Sequence, residues 1–202
     1  MRIDLNDLVP SDQYKLLAGS IVPRPIALVS SRSLAGQDNA APFSFFGVLG
    51  EAPAILAIGV KNNPDGSMKD TSRHVIERGE LVVNLVDEDL ALAMNLCALD
   101  APPDVSEAEL AGLTLVPGEK VGVPRIAEAP FAFECQLVDC LTKVPDRQIL
   151  LVEVVLMHAR DGLVDLATRR IDQQVYRPVG RLTGNDYLRA SDRFQLTRPT
   201  WT

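Results

Sequence analysis

Residues 20–71 organise the chain, and their first motif reads Ile21-Val22-Pro23-Arg24-Pro25-Ile26-Ala27-Leu28-Val29-Ser30-Ser31. A second motif reads Asn39-Ala40-Ala41-Pro42-Phe43-Ser44-Phe45-Phe46, and the segment ends with Met68-Lys69-Asp70-Thr71. Short apolar runs rich in β-branched residues indicate strands, whereas the polar loops between them carry hydroxyls, an amide and fixed cations. Such loops suit an anionic, aromatic small molecule.

Strand-like runs continue through the rest of the chain, with little helix between them. The pattern predicts strands at residues 25–30, 39–46, 54–60, 81–86, 131–142 and 149–158. Helices are predicted at 11–19, 71–78 and 87–99, with Asp70 or Thr71 as the N-cap of the second and Gly79 as its stop. Residues 100–130 are expected to wrap the outside. This layout predicts a mainly β protein with minor helix, built as an antiparallel barrel.

The composition is that of one globular domain. With 202 residues, 47% of them hydrophobic and 23% charged, the chain can bury a core without a metal or a disulfide. We expect one domain over residues 1–202, with a core at about 14–187 and a C-terminal arm at 188–202. The net charge of −7 disfavours nucleic acid. Neither a signal peptide nor an apolar run of roughly 20 residues is visible, so a cytoplasmic protein that does not enter membranes is predicted.

Cysteine and histidine are sparse. The three cysteines lack C-x-x-C spacing, and only His74 and His158 accompany them, so we expect free thiols and no metal site. Both histidines are expected to be hydrogen-bonded structural residues rather than bases. Glu134 and Glu153 interrupt apolar strands; alternation places them outward, and an inward carboxylate would need a partner.

Two cations and three hydroxyls occur near the predicted strand and helix ends, namely Arg24, Ser30, Ser31, Lys69 and Thr71. A guanidinium, an ammonium and a helix N-terminus all favour a phosphate group. The alternative is that these residues are turn hydroxyls, helix caps and surface cations.

Residues 39–46 are suited to a flat ring. Asn39 offers donors and an acceptor, Ser44 offers a hydroxyl, and Pro42 interrupts the strand ladder so that backbone groups stay available. A heteroaromatic ring with an imide edge fits such a strand, and the alternative is that the three phenylalanines of the motif are core aromatics. The chain has no G-x-S-x-G, P-loop or G-x-G-x-x-G motif, so hydrolase, P-loop and Rossmann functions lose their usual support.

The tail from residue 176 onwards carries aromatic and arginine side chains, among them Arg181, Tyr187, Phe194 and Trp201. In a free tail these side chains would have nothing to bury against. We expect the tail to dock on the domain or on a second copy.

In their order and spacing these motifs resemble the flavin reductase-like family of FMN-binding split β-barrels. Besides the two opening motifs, the resemblance rests on Lys69-Asp70-Thr71, Leu81-Val82-Val83-Asn84-Leu85, Glu109-Leu110-Ala111-Gly112-Leu113-Thr114, Phe133-Glu134-Cys135 and Arg181-Leu182-Thr183-Gly184-Asn185-Asp186-Tyr187. It runs from about Tyr14 to Pro199.

The resemblance implies an antiparallel split barrel with peripheral helices that forms a homodimer and holds FMN at the subunit interface. It assigns the isoalloxazine ring to Asn39, Ala40, Ala41, Pro42, Phe43 and Ser44. It assigns the ribityl phosphate to Lys69 and Thr71, with Asp70 between them. Ser30 and Ser31 then end the strand beside the cofactor, and Arg24, Arg181 and Tyr187 complete the site.

The resemblance also implies the chemistry, in which hydride passes from NADH or NADPH to flavin N5 without a side chain acting as acid or base. A flavin-dependent monooxygenase is the implied partner. The alternatives are a flavin or haem carrier or sensor that does not use these nucleotides, and a cofactor-free interaction protein.

Two departures from the family pattern concern the hydride donor, NADH or NADPH. Relatives often carry Gly-Asp-His where this chain reads Pro145-Asp146-Arg147-Gln148, with Arg147 in place of the His, and two glycines where it reads Arg181-Leu182-Thr183-Gly184. Arg147 either meets a nucleotide phosphate or another acid, or is exposed to solvent. Thr183 would crowd the ring.

Overall fold

The computed structural model describes residues 1–99, 101 and 105–201. Its helices are α1 (Pro10–Ser20), α2 (Asp70–Arg78), α3 (Ala91–Leu96) and α4 (Glu107–Leu110). Its strands are β1 (Ala27–Arg32), β2 (Asp38–Phe43), β3 (Phe46–Glu51), β4 (Ala54–Lys61), β5 (Glu80–Leu85), β6 (Leu115–Val116), β7 (Arg125–Ile126), β8 (Phe131–Leu141), β9 (Arg147–Ala159), β10 (Val164–Asp165), β11 (Arg170–Ile171), β12 (Val179–Arg181) and β13 (Tyr187–Arg189). Within the described ranges, no helix is both long and apolar enough to span a membrane.

One antiparallel sheet dominates the fold. Its seven strands lie in the order β2-β1-β5-β8-β9-β4-β3. The edge strands β2 and β3 follow each other in the chain through a turn at Ser44 and Phe45, where the Gly59 amide donates to the Phe45 carbonyl at 2.7 Å. The sheet therefore curls until its two edges adjoin at that turn, and the architecture is an antiparallel split barrel, as predicted.

Strand β1 is central because both of its faces are buried. Ala27 and Val29 belong to the cluster inside the barrel, together with side chains from β4, β5 and β9. Ile26, just before the strand, and Leu28 belong to a second cluster, which α3 covers. Side chains alternate across a strand, so one strand supplies both clusters. Each such buried side chain contributes about 1.5–3 kcal/mol relative to exposure.

The predicted strand at 39–46 is two strands. The chain turns at Ser44 and Phe45 and continues as β3, which the sequence analysis did not predict. The predicted helix at 87–99 is also shorter, because the Asp87 carboxylate accepts from the Leu90 amide at 3.1 Å and α3 starts only after that turn.

Helix α2 begins one residue earlier than predicted. Its N-cap is Lys69 rather than Asp70 or Thr71, and Gly79 ends it as predicted, with a left-handed φ of 75°. The predicted irregular stretch at 100–130 contains the short α4, β6 and β7. Its residues 100 and 102–104 lie outside the described residues, as does residue 202 of the predicted arm.

Glu134 lies on the face of β8 opposite Phe133 and Cys135, as alternation predicts, but it is not exposed there, because the side chain is fully buried. Its carboxylate accepts from His158 Nε2 at 2.6 Å and, at 2.9, 2.6 and 3.1 Å, from the backbone amides of Glu119, Lys120 and Val121. Burial alone would raise the pKa of Glu134, but these donors outweigh it and hold the pKa below its usual value. His158 is thus hydrogen-bonded, as expected, while Glu153 is half-buried.

Glu134 is one of several sheet side chains that hold residues 117–126, here called the anchored loop, against the sheet. Ser30 Oγ donates to the Pro124 carbonyl at 2.6 Å. Asn84 Oδ1 accepts from the Ile126 amide at 2.9 Å, and Asn84 Nδ2 lies 3.2 Å from Ser30 Oγ. The buried polar groups of this outer layer are therefore satisfied by side chains of the sheet.

The C-terminal part of the chain returns to the start of the barrel. β12 and β13 form a hairpin, and the backbones of Arg24 and Arg181 exchange hydrogen bonds of 3.0 and 2.8 Å. Residues 192–201, after a turn at Ala190 and Ser191, form neither helix nor strand.

Candidate functional site

A cleft of about 500 Å³ opens beside the outer edge of β2. Its walls come from β2, the loop before α2, the first turn of α2 and the segment after α3. Of the residues predicted to bind a cofactor, the cleft contains Asn39, Ala41, Pro42, Phe43, Lys69, Asp70 and Thr71. The fold therefore brings the second motif of the sequence together with the Lys69-Asp70-Thr71 motif.

Behind the cleft wall lies a buried network of Ser31, Asn39, Thr71 and His74. Asn39 Nδ2 donates to Thr71 Oγ1 at 3.1 Å and lies 3.5 Å from Ser31 Oγ. Ser31 Oγ lies 3.2 Å from His74 Nδ1. All four residues are buried, so these bonds fix β1, β2 and α2 relative to one another.

His74 is held in its neutral form by its surroundings. Burial lowers the pKa of His74, and the nearby carboxylates of Asp70, Glu77 and Asp38, which favour the charged form, do not outweigh it. A neutral imidazole can accept the Ser31 hydroxyl at Nδ1, so the network is complete near neutral pH.

The start of α2 faces the cleft. Its N-cap Lys69 makes no side-chain cap hydrogen bond, so the first-turn amides keep their donor capacity. Arg73, which also lines the cleft, pairs with Asp70 one helical turn away. The amides, the helix dipole and the cations Lys69 and Arg73 create a positive potential that favours an anion. The Asp70 carboxylate offsets part of that potential.

Strand β2 supplies a flat wall. β1 pairs with one side of it, in the register Val29 to Ala41 and Leu28 to Pro42, and no described strand pairs with the other side. An edge strand offers its outward N–H and C=O groups to a neighbour, and Pro42 removes one donor from the ladder. Such an edge suits a planar ring that carries its own donors and acceptors.

Glu107 and Cys97 also line the cleft, and the Glu107 carboxylate accepts from the backbone amide of Ala40 in β2. Burial raises the pKa of Glu107 and raises that of the Cys97 thiol to about 11, so the thiol stays protonated and is not a nucleophile. The sequence analysis missed Glu107, because α4 lies in the stretch predicted to be irregular. It also missed Arg73, whose i+3 spacing from Asp70 on a predicted helix was an available signal. No described cluster of His, Cys, Asp and Glu could hold a metal ion.

Arg24 lies outside the cleft. Arg24 is 6% exposed, and its guanidinium donates to the carbonyls of Ala18, Ile21 and Leu182 and to Ser44 Oγ. Arg24 thus ties α1 and the turn after β2 to the segment after β12. Its donors are used within the chain, and this geometry favours a structural role over a phosphate contact.

Ser30, Ala40 and Ser44 are also not among the cleft lining. Ser30 holds the anchored loop, and Ser44 accepts from Arg24. Ala40 is fully buried in the cluster beneath α3. Ser31 acts behind the cleft wall through the buried network.

Arg147 borders a second, apolar trough of about 240 Å³, which Phe45, Phe46, Leu49 and Ile149 help to line. Its guanidinium carbon lies 5.5 Å from the centre of the Phe45 ring, a cation–π distance. Among the described residues that line this trough, Arg147 is the one charged side chain.

Arg181 and Tyr187 lie at a third site. The Arg181 guanidinium carbon is 4.5 Å from the centre of the Tyr187 ring, and Arg181 donates to Tyr187 Oη. Tyr187 lines a groove of about 540 Å³ against α3 rather than the cleft beside β2.

Comparison with known proteins identifies the class. Residues 19–174 match the family model described as the flavin reductase like domain, so the chain belongs to the flavin reductase-like family. The resemblance inferred from the motifs is confirmed. The chain is therefore grouped with flavin-binding, flavin reductase-like oxidoreductases.

Individual relatives are similar over nearly their whole length. The uncharacterized protein BH2278 of Halalkalibacterium halodurans is 41% identical over 205 residues, which covers 99% of this chain and 97% of BH2278. The structure of 2-nitrobenzoate 2-nitroreductase NbaA of Pseudomonas fluorescens superposes with a TM-score of 0.92 at 40% identity, covering 100% of this chain and 98% of NbaA. Nitrilotriacetate monooxygenase component B of Bacillus cereus gives a TM-score of 0.91 at 36% identity, covering 97% and 98%.

Proposed function

We propose that the protein is a homodimeric FMN-dependent oxidoreductase that takes hydride from NADH or NADPH and passes reduced flavin to a monooxygenase. The observation that carries the proposal is the cleft, in which an uncapped helix start with two cations faces the outer edge of β2. Family membership supports flavin as the ligand, and the likeness to a monooxygenase component B supports the partner.

In this proposal the FMN phosphate lies against the first turn of α2, near Lys69 and Thr71, and the isoalloxazine lies along residues 39–44. Bound FMN supplies hydride acceptance at N5, and the chain binds and orients it. Asn39 is held in position by Thr71, and Phe43 and Cys97 exclude water from the cleft. Arg24, Ser30, Arg181 and Tyr187 act through the framework rather than by direct contact.

The dimer is proposed because the single chain exposes too much surface. Its accessible area is 12719 Å², whereas a folded monomer of 22.0 kDa exposes about 9,300 Å². The edge strand β3 leaves Val48 73% and Leu49 64% exposed. Edge strands of this kind are normally covered. A cytoplasmic location, without nucleic acid or membrane, belongs to the same proposal.

A second candidate function is the reduction of a nitroaromatic acid at the same flavin. Two observations favour it: the 40% identity to a 2-nitrobenzoate 2-nitroreductase, and the apolar trough whose rim carries Arg147. An aromatic ring suits the walls of this trough, and a guanidinium binds a carboxylate well.

The first experiment is an absorbance spectrum of the purified protein, followed by titration with FMN and assays of NADH and NADPH oxidation. Consumption of either nucleotide that depends on added FMN supports the reductase function. Consumption that depends on 2-nitrobenzoate with FMN already bound supports the second candidate. A yellow protein that is bleached by dithionite but not by either nucleotide would instead be a carrier or sensor, and a protein without affinity for FMN would refute the proposal.

A further inference from the structure

The groove between α3 and the β12–β13 hairpin has an unpartnered apolar wall. Its volume is about 540 Å³, and its apolar lining consists of Ala91, Leu92, Val179, Tyr187 and Leu188. Leu92 is 83% exposed, although Leu90 and Met94 on the opposite side of α3 are buried. This side of α3 is therefore left without cover by the described part of the chain.

Residues 191–201 of the predicted C-terminal arm, below called the arm, also leave large apolar side chains exposed. Phe194 is 83% and Leu196 is 85% exposed, and Trp201 is exposed as well. Large apolar side chains that lie together in solvent commonly mark an interaction surface. The arm therefore also lacks a partner.

The arm does not enter the groove of its own chain, although it begins beside it. The Ala190 amide donates to the Pro178 carbonyl at 3.3 Å, and the Arg193 guanidinium donates to the Gln173 carbonyl. These contacts lead the arm along residues 173–178, and Phe194 and Leu196 remain in solvent. The cover for the groove must then come from another molecule.

Area and charge favour a second copy as that molecule. The chain exposes 12719 Å², roughly 3,400 Å² more than expected for its mass, while a stable interface needs only about 800 Å² from each partner. Charges of both signs occur on both surfaces: Glu88 and Arg189 line the groove, and the arm carries Arg193 and Arg198 with Asp192. The charged groups of an arm can therefore pair with those of a groove.

We propose that the arm of each protomer lies in the α3–hairpin groove of a second copy, with Phe194 and Leu196 packed against Leu92 and Leu188. A two-fold axis makes the exchange reciprocal, so each dimer buries two arms. The segment that follows α3 lines the cleft beside β2 with Cys97 and Leu99, so the exchanged arm supports one wall of the cleft.

The test measures the dimer dissociation constant by sedimentation. One variant changes the arm, Phe194→Ser with Leu196→Ser, and another changes the groove, Leu92→Asp. All three side chains are exposed in the single chain, so both variants fold. Each is expected to raise the dissociation constant at least about a hundredfold, because every dimer loses two copies of the contact. Leu34→Asp, at another leucine that is 68% exposed, is the matched control and leaves the constant unchanged.

Mixing the two variants distinguishes an arm that binds the groove of its partner from an arm that binds the groove of its own chain. A mixed dimer contains one intact arm facing one intact groove, so part of the lost affinity returns if the contact lies between protomers. Failure of the mixture to recover affinity, or unchanged dimerisation in both variants, or a wild-type chain that stays monomeric, would overturn the proposal. The proposal rests on the homodimer of the proposed function. FMN titration of the wild type tests the flavin part of that function separately, whatever the mixing experiment shows.

Discussion

The anchored loop and the cleft wall are both held to the sheet by buried polar side chains, but the two regions use different chemistry. In the loop, the charged Glu134 is surrounded by three backbone amides and His158. In the wall, neutral groups connect to one another, and Asn39 and Thr71 also line the cleft. From this difference we expect the loop contacts to stabilise the fold and the wall contacts to prepare the proposed binding surface.

The largest expected effect is that of Glu134→Gln. The amide cannot accept from every donor that now converges on the carboxylate, so the free energy of unfolding falls by about 3 kcal/mol. Urea denaturation measures the loss. Glu119→Gln, which removes only an exposed carboxylate 3.9 Å from His158, is the control and changes stability little. If Glu134→Gln reduced the free energy of FMN binding as much as the free energy of unfolding, the anchored loop would not be a purely stabilising region.

The Glu134 site also makes the free energy of unfolding depend on pH. Because the pKa of Glu134 is lower in the folded chain, its contribution to stability is fully present above the unfolded pKa of about 4.3 and is lost as the pH falls through the folded pKa. The wild type should therefore lose stability more steeply in acid than Glu134→Gln does, as chemical denaturation at a series of pH values measures. Parallel curves for the two proteins would contradict this.

A smaller effect is expected at the cleft from Lys69→Ala. Loss of a charge-assisted contact of about 1.5–3 kcal/mol should weaken FMN binding roughly ten- to a hundredfold. Fluorescence titration measures it, and stability without ligand should change little. Riboflavin, which lacks the phosphate, is the matched control and should bind both proteins equally well. An equal loss of affinity for FMN and riboflavin would show that the phosphate does not bind at the start of α2.

His74 should make FMN binding sensitive to pH. Burial lowers the pKa of His74 below the usual value of about 6.5, so its neutral form maintains the network down to that lowered pKa, and binding weakens as the pH falls through it. His74→Asn can still meet Ser31 and should bind FMN without this pH dependence, whereas His74→Ala should bind more weakly by about 1 kcal/mol at pH 7.5. Isothermal titration at several pH values measures the effect, and an unchanged pH profile in His74→Asn would exclude His74 as its source.

The smallest expected effects distinguish two neighbours on β1. Ser30→Ala removes the bond to the Pro124 carbonyl and should lower stability by about 1 kcal/mol without changing FMN affinity. Ser31→Ala removes a member of the buried network and should lower FMN affinity by a similar amount. Thermal unfolding and FMN titration on both variants test the pair, and a reversed assignment would refute the comparison.

The sheet could be predicted from sequence because its strands are continuous apolar runs, and the motifs identified the family. The edge strand β3 was missed, since Gly47 and Gly50 weaken its strand signal. Glu134 was expected to be exposed because alternation places it on the face opposite Phe133 and Cys135, which belong to the cluster inside the barrel. The anchored loop covers that face, and a single sequence does not reveal this cover.

The candidate site was predictable where its residues are local. Lys69, Asp70 and Thr71 follow from a helix start, and Asn39 to Phe43 follow from an interrupted strand. Arg24 was assigned to a phosphate because its acceptors are unforeseeable from sequence; one of them, the Leu182 carbonyl, lies 158 residues further along the chain. Ser30 and Ser31 looked equivalent in sequence, and only the paths of the anchored loop and α2 give them different roles.

Helix α2 starts without a side-chain cap, so its first turn is less stable when the cleft holds no ligand. An anion bound at that end would serve as the missing cap, so the first turn should fray in its absence and tighten when it arrives. Protease cleavage near Pro64–Met68, in the exposed loop just before the helix, would then report directly how much of the protein is loaded.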